Sequence, residues 1–213
     1  MKPTDSRRWP LRLGILGALG VTIYMLGLST GRPDWRILAK PIPLLCLAVW
    51  TATRGSGYAR LVTAGLFISM VADVAIEWNF LSGLGLFLLA HLVYIAAFLG
   101  GSTGLRPLRA LPVIAVLAAA YRVIAPGLGS LQIPVIAYMT AIGTMLWRAA
   151  ARMGQGGTLT SPQWSALLGA ICFASSDTLL ALNRFHQPIQ GVQYAIMLLY
   201  WAGQFGIARS TRD

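Results

Sequence analysis

Charged residues, and acidic residues above all, are scarce in this sequence. Only 6 of its 213 residues are Asp or Glu and 17 are Lys or Arg, so charged residues make up 11% of the chain, against 56% hydrophobic residues. A soluble domain normally carries about 25% charged residues. A chain with so few charges cannot cover an ordinary soluble surface, and the composition therefore predicts a protein whose surface faces lipid.

Cysteine and histidine are almost absent, with two residues of each type. Cys46 and Cys172 each lie inside an apolar run, which is typical of small core residues and predicts neither a disulfide framework nor a thiolate metal site. His91 and His186 are too few for a zinc centre with three protein ligands. An oxygen-rich zinc site made by two aspartates and a histidine is the alternative, but the sequence favours no metal and no cofactor.

Long polar stretches are also missing, because apolar runs occupy most of the chain. A membrane-spanning helix needs about 20 largely apolar residues, and glycine- and proline-rich breaks separate the runs. The first run follows a basic leader without a convincing cleavage site, so we interpret it as a retained helix. The pattern predicts an all-α integral membrane protein with one transmembrane domain, residues 1–213, and eight transmembrane helices at about 11–30, 37–53, 58–80, 83–101, 108–125, 130–151, 162–183 and 189–208.

The basic residues are unevenly divided between the two sides of this predicted bundle. Twelve fall on the side of the termini, and five fall on the other side, Arg32, Arg36, Lys40, Arg122 and Arg184. The positive-inside rule therefore predicts cytoplasmic N- and C-termini. The net charge of +11 is spread between apolar runs and forms no patch for nucleic acid. Loops rich in alanine, glycine and arginine favour a bacterial inner membrane.

A weak internal repeat relates the two halves of the chain. Gly65 precedes Asp73 by eight residues and Gly169 precedes Asp177 by eight, while Asn79 and Asn183 each follow their aspartate by six. Both segments run in the same direction. This spacing is compatible with two parallel four-helix repeats, a known architecture of membrane proteins.

Ionisable side chains within the predicted spans give the functional signal. Asp73, Glu77, Asp177 and His91 lie inside apolar runs, where a charge is costly and usually faces the bundle interior. At about 1.5 Å per residue, Asp73 and Asp177 lie roughly 10 Å from one end of their spans and His91 roughly 12 Å. We therefore expect one layer of polar groups in the half of the bundle away from the cytoplasm, with Asp73, Asp177 and His91 as the catalytic candidates.

Polar groups and aromatic rings share helical faces around this layer, as they would in a pocket for an amphiphile. One stripe joins Gly65, Ser69, Asp73 and Glu77. Further stripes follow Phe87 to Phe98, Gly169 to Asp177 and Gln193 to Gln204. The alternative for each polar member is an interhelical hydrogen bond. As substrate-binding residues we predict Lys40, Ser69, Glu77, Asn79, Tyr94, Ser176, Asn183, Tyr200 and Gln204.

These segments resemble the YhhN-type family of membrane lysoplasmalogenases. The matching motifs are Lys40-Pro41, GLFISMVAD ending at Asp73, FLLAHLVYIAAF around His91, GAICFASSDTLLALNRF around Asp177, and Tyr200-Trp201 followed by Gln204. Two mild departures are Ala72, where the family has glycine before the aspartate, and Trp201, where a tyrosine is common. The resemblance covers most of the chain, and the order of the short motifs makes it specific.

The resemblance implies an eight-helix enzyme that hydrolyses the vinyl ether bond of lysoplasmalogens to a fatty aldehyde and a glycerophospho-base. That reaction begins with protonation of carbon, so it needs a carboxylic acid that keeps its proton near neutral pH. Asp73 and Asp177 suit such a pair, one as general acid and the other as base, with His91 orienting one of them or the water. The partners implied are a lysophospholipid substrate and membrane lipid, and the oligomeric state is open.

Three other functions fit parts of the pattern. A proton-coupled transporter of small molecules or lipids would use the same buried acids. A different lipid hydrolase would act on an ester or amide, but Ser69, Ser175 and Ser176 have no clear triad partners in the sequence. A non-enzymatic membrane assembly protein would leave the buried acids unexplained.

Overall fold

A computed structural model describes residues 5–100 and 104–212 of the chain. The described residues form helices and connections, with no β-strand among them. The α-helices are α1 (Asp5–Ser29), α2 (Pro33–Ala39), α3 (Ile42–Ala52), α4 (Gly57–Trp78), α5 (Phe80–Gly100), α6 (Ala110–Ile124), α7 (Gln132–Ala151), α8 (Ser161–Phe185) and α9 (Val192–Arg209). The all-α prediction is thereby confirmed.

Within residues 5–100 and 104–212, seven helical segments are long and apolar enough to cross a membrane, and α2 and α3 together make the second of them. They are Trp9–Ser29, Pro33–Ala52, Gly57–Trp78, Phe80–Gly100, Pro107–Gly127, Gly129–Ala151 and Ser161–Phe185. The eighth predicted span corresponds to α9, which the structure forms as an 18-residue helix. Gln193, Gln204 and Arg209 lower the mean hydropathy of α9, so its crossing of the membrane stays a prediction.

Large apolar side chains cover the outside of the bundle. Trp78 and Ile133 are 82% and 81% exposed, and leucines on α1, α5 and α6 also point outward. An exposed apolar surface of this extent is stable in hydrocarbon and not in water. The fold is therefore that of a polytopic membrane protein.

The second span is broken at Lys40-Pro41. Pro41 and Pro43 have no amide hydrogen, so α2 ends at Ala39 and α3 begins again at Ile42. The Lys40 amide still bonds to the Arg36 carbonyl at 3.0 Å, and the Leu45 amide bonds to the Pro41 carbonyl at 3.0 Å. The break places Lys40 at a bend and directs its side chain into the bundle. Only 8% of the residue is exposed there.

Helices α8 and α9 approach each other through glycines. A Cβ atom on Gly169 would lie 2.7 Å from the Ile207 amide nitrogen and 2.8 Å from the Gly203 carbonyl oxygen. A Cβ atom on Gly203 would lie 2.8 Å from the Phe173 amide nitrogen. Small residues at such crossings let two backbones touch, which is a common basis of helix association in membranes.

We expect Gly169→Ala to lower the midpoint of thermal unfolding of the detergent-solubilised protein. The added methyl group meets backbone atoms, which cannot move aside as a side chain can, and overpacking of this kind costs about 1–3 kcal/mol. Gly85→Ala on α5 is the matched control, because nothing lies within 4 Å of its Cβ position. Equal midpoints for the two variants would contradict the close α8–α9 contact.

Helix α6 is the least buried of the complete helices. Ile124, at its end, is its single fully buried residue in the described structure. The other wall-forming helices bury several residues each. A space therefore remains between α6 and its neighbours α7 and α8.

Candidate active site

A cavity of about 1040 Å³ lies between α4, α6, α7, α8 and α9. We call the end of the bundle at the α4–α5 and α8–α9 connections the distal end, and the opposite end the proximal end. The distal half of the cavity is polar, whereas the proximal half is an apolar slot between α6, α7 and α8. The polar residues include Lys40, Asp73, Glu77, Tyr138, Asp177 and Tyr200, and the slot includes Val113, Leu117, Ile142, Leu146, Leu167 and Ile171, with Arg109 at its proximal end.

The Asp73 carboxyl on α4 contacts the ammonium group of Lys40 and the hydroxyl group of Tyr200. The Tyr200 hydroxyl donates to its Oδ2 atom at 2.7 Å, and the Lys40 Nζ atom lies 3.6 Å from its Oδ1 atom. The same Lys40 ammonium donates to Glu77 Oε1 at 2.8 Å and to the Asp73 backbone carbonyl at 3.3 Å. The 2% exposure of Asp73 makes this a buried charge network, with two carboxylates around one lysine.

Asp177 on α8 has a different environment. Its Oδ2 atom accepts a short hydrogen bond from the Tyr138 hydroxyl. No lysine or arginine lies within ion-pair distance of this carboxyl in the described structure. Sequence reasoning missed Tyr138, because one tyrosine in an apolar run is typical of core. The signal that could have identified Tyr138 is its depth in the bundle, because it lies six residues into α7, roughly 9 Å from the distal end.

The two aspartates line one cavity but are not hydrogen-bonded to each other. Each carboxyl instead accepts from its own tyrosine, Tyr200 for Asp73 and Tyr138 for Asp177. A tyrosine hydroxyl can donate to a carboxylate or to the carbonyl oxygen of a neutral acid. The arrangement can therefore hold the two carboxyls in different protonation states, and a proton shared between them stays a prediction.

His91 lies behind the cavity wall. Its Nδ1 atom is 2.6 Å from the Phe87 carbonyl oxygen, so Nδ1 carries the hydrogen and Nε2 is a buried acceptor with no partner among the described residues. Its ring packs edge-on against Phe173 and Tyr138, at 4.8 Å and 5.2 Å between centroids. Contact with Tyr138 connects His91 to Asp177 indirectly.

The depth of His91 differs from the expectation. Helix α5 begins at Phe80 and not near Gly83, so His91 lies eleven residues along it, roughly 16 Å from the distal end. Asp73 is five residues from the end of α4, roughly 8 Å. His91 therefore lies farther along its helix from the distal end than Asp73 does, and Asp73 and Asp177 line the same cavity.

Seven of the twelve predicted site residues line the cavity, namely Lys40, Asp73, Glu77, Ser176, Asp177, Asn183 and Tyr200. Two of the seven are held by the backbone. The Ser176 hydroxyl donates to the Ile196 carbonyl at 2.9 Å, which ties α8 to α9. Asn183 Oδ1 accepts from the Ile189 amide at 2.8 Å, which orders the α8–α9 connection.

The other five predicted residues, Ser69, Asn79, His91, Tyr94 and Gln204, do not line the cavity. Tyr94 donates to Gln204 Oε1 at 2.7 Å inside the bundle, the interhelical alternative that the sequence left open. The Ser69 hydroxyl is fully buried beside Tyr94. Asn79 is exposed, and its Oδ1 atom accepts from the Ser82 amide at 2.9 Å, which caps the start of α5.

Metal and nucleophile alternatives find little support in the described ranges. No three residues among the described His, Cys, Asp and Glu come together as a metal site. The segment Gly100–Gly104 has the G-x-S-x-G spacing around Ser102, but residues 101–103 lie outside the described structure. That motif normally joins a strand to a helix, whereas here it follows helix α5.

Two buried carboxyls at the polar end of an apolar cavity define a class, a polytopic membrane protein with acidic residues inside its helix bundle. Comparison with known proteins gives the family. The YhhN family matches residues 35–211, and the chain belongs to that family.

Relatives with assigned names agree with this membership. The chain is 35% identical over 193 residues to lysoplasmalogenase TMEM86B of Sus scrofa, covering 88% of this chain and 80% of the relative. It is 31% identical over 205 residues to lysoplasmalogenase TMEM86A of Homo sapiens, covering 88% and 82%. It is 34% identical over 155 residues to the lysoplasmalogenase of Mycobacterium bovis, covering 67% and 56%. No solved structure matches the chain.

Proposed function

We propose that this protein is a lysoplasmalogenase, an intramembrane ether hydrolase that cleaves the vinyl ether bond of lysoplasmalogens. The observation that carries the proposal is the position of Asp73 and Asp177 together at the polar end of the apolar cavity. Relatives named lysoplasmalogenase at 30–35% identity support the same reaction. The products are a fatty aldehyde and a glycerophospho-base.

The reaction requires one proton donor and one water molecule. A carboxylic acid protonates the alkenyl carbon that is not bonded to oxygen, and the ether oxygen stabilises the resulting oxocarbenium ion. The other carboxylate accepts a proton from water as the water attacks this ion. The hemiacetal then collapses to the aldehyde: the deprotonated acid takes the proton of the hemiacetal hydroxyl, and the protonated base gives its proton to the departing glycerol oxygen. Both carboxyls thereby return to their starting states.

The surroundings of the two carboxyls indicate which one is the acid and which one is the base. Lys40 lies 3.6 Å from Asp73 and compensates a negative charge there, so Asp73 is the base that activates water. Asp177 is held by the Tyr138 hydroxyl and has no neighbouring cation, and a buried charge without a partner is costly. Asp177 is therefore the neutral acid that protonates carbon. His91 positions the Tyr138 ring.

The apolar slot accepts the alkenyl chain. The cavity that contains this slot extends along α6 from Pro112 to Ile124, a rise of roughly 18 Å along the helix. This length suits a long hydrocarbon chain lying parallel to the helices. The vinyl ether then reaches the aspartates at the distal end of the slot, and the headgroup lies beyond them.

The membrane arrangement of the proposed enzyme follows the charge pattern. Helix α9 is the eighth span, both termini are cytoplasmic, and the distal end faces away from the cytoplasm across a bacterial inner membrane. The pairs α4–α5 and α8–α9 are the corresponding parts of two parallel repeats, each with an aspartate on its first helix.

We expect the purified protein in detergent to release a fatty aldehyde from lysoplasmenylethanolamine. In D₂O the aldehyde carries one deuterium on the carbon next to the carbonyl, because the first step protonates that carbon. The saturated ether analogue is the matched control and yields no aldehyde. Mass spectrometry of the trapped product checks the label, and an aldehyde without deuterium would contradict carbon protonation. No aldehyde at any pH would contradict the proposal itself.

A proton-coupled transporter is the second candidate, and one observation favours it. The second span is broken at Lys40-Pro41 beside Asp73 and Glu77, and broken helices next to buried acids are common in transporters. Proton flux into sealed proteoliposomes that depends on a transported solute would support transport. Hydrolysis in detergent, where no compartment exists, would support the enzyme.

A further inference from the structure

We propose that Arg36 and Arg184 form a phosphate-binding site at the distal mouth of the cavity, which recognises the headgroup of a lysophospholipid. The inference rests on the proposed function and adds the part of the substrate that lies beyond the vinyl ether. Both arginines line the cavity. Sequence reasoning named Lys40 as a substrate-binding residue and assigned neither arginine a binding role.

Lys40 is already occupied by carboxylates. Its ammonium is 2.8 Å from Glu77 and 3.6 Å from Asp73, and the residue is 8% exposed. Its positive charge is therefore compensated before a substrate arrives. A phosphate group needs another cation, and it needs one nearer to the mouth.

Arg36 lies one helical turn before Lys40 and is half-buried. Its guanidinium lies over the Tyr24 ring, 6.0 Å from the centroid. Its Nε atom is buried and has no hydrogen-bond partner among the described residues. A buried donor without an acceptor is unfavourable, and a phosphate oxygen is an acceptor of the kind that arginine binds best.

Arg184 reaches the same end of the cavity from α8. Its guanidinium lies 3.8 Å from the Phe80 ring centroid and 5.8 Å from that of Phe185, and the two rings pack edge-on at 5.9 Å. Phe80 and Glu77 line the same cavity as Arg184, and the contact with Phe80 at the start of α5 places Arg184 at the distal mouth. Aromatic faces hold the cation and leave its N–H groups free for an anion.

The remaining acids do not neutralise the two arginines. Among the acids whose side chains the structure describes, Asp34 pairs with Arg32, Glu77 and Asp73 face Lys40, and Asp177 accepts from Tyr138. Two uncompensated guanidinium groups beside an apolar cavity fit a ligand with one phosphate and one hydrocarbon chain.

The test compares binding of two saturated ethers that the reaction cannot cleave. One is 1-O-alkyl-glycerophosphoethanolamine, which carries the phosphate, and the other is 1-O-alkylglycerol, which lacks it. We expect the double variant Arg36→Gln/Arg184→Gln to raise the Kd of the phosphate ligand about tenfold or more and to leave the Kd of the alkylglycerol unchanged. Scintillation proximity with tritiated ligands measures both constants.

The matched control is Arg32→Gln/Arg122→Gln, which removes two exposed distal arginines that do not line the cavity. The control keeps both Kd values. If the double variant does not fold, the single variant Arg184→Gln gives the same readout, because Arg184 is exposed. An unchanged Kd for the phosphate ligand, or an equal rise for the alkylglycerol, would overturn the inference.

The binding test is independent of hydrolysis. Arginine-dependent binding without any release of aldehyde would retain the phosphate site and reject the proposed enzyme. Aldehyde release with binding that does not depend on Arg36 and Arg184 would retain the enzyme and reject the site.

Discussion

Replacing either buried aspartate by asparagine, Asp73→Asn or Asp177→Asn, is expected to lower the rate of aldehyde release by about 10²–10⁴-fold. Asparagine keeps the size of the side chain and a carbonyl oxygen for the tyrosine hydroxyl, at 2.7 Å from Tyr200 in the case of Asp73. It cannot give or take a proton. Because the two carboxyls have different roles in one reaction, the double variant should be about as inactive as either single variant.

The control for this prediction is Asp34→Asn. Asp34 is an exposed acid that pairs with Arg32 at the distal end, so its removal should leave the rate unchanged. Thermal unfolding of each variant checks that the fold is intact. A folded Asp177→Asn protein with the parent rate would exclude Asp177 as the acid, and the same result for Asp73→Asn would exclude Asp73 as the base.

The second large effect is expected on stability. Lys40→Met leaves Asp73 and Glu77 facing each other without the cation that both contact. Loss of one partner of a buried ion pair costs about 3–5 kcal/mol, and the partial exposure of Glu77 puts the expected loss near the lower end, about 3 kcal/mol. The midpoint of thermal unfolding in detergent should fall accordingly.

A second substitution separates charge from packing. Lys40→Met/Glu77→Gln removes the unpaired carboxylate that forms the 2.8 Å contact, so the double variant should recover part of the lost stability. Glu77→Gln alone should have a smaller effect than Lys40→Met, because Lys40 keeps Asp73 as a partner. A double variant no more stable than Lys40→Met would show that the unpaired Glu77 carboxylate is not the cause of the lost stability.

Much of the site could be predicted because polar groups are so rare in the spans. Asp73, Glu77 and Asp177 could be identified because they lie in apolar runs, and all three line the cavity. The prediction that Tyr200 belongs to the site identified a residue that contacts Asp73 directly. The scarcity of polar residues and their depth along a helix can both be read from the sequence, so these residues could be predicted.

Side-chain contacts between helices could not be predicted from the sequence. Nothing along the chain specifies that the Tyr138 hydroxyl meets Asp177 across 39 residues, or that Lys40 meets Glu77 across 37. Both contacts depend on which helices are neighbours and on the bend at Pro41. Asn79, which the sequence predicts to bind substrate, caps the start of α5 and does not line the cavity.

Helix ends set the other limit. A start at Phe80 instead of Gly83 moves His91 about one turn deeper and takes it from the predicted polar layer to a place behind Tyr138. Capping by Asn79 causes the difference, because its side chain bonds to the Ser82 amide and lets the helix begin earlier. Hydropathy alone does not detect such a cap.

The sparse burial of α6 has a consequence for local stability. A helix with Ile124 as its single fully buried residue is anchored by far less free energy than α4 or α8, and segments with few buried contacts open first. Displacing the wall of the slot at α6 therefore requires less free energy than displacing any other part of the cavity wall. Local opening of the bundle is therefore expected to begin at α6 and to leave the helices that hold the two aspartates in place.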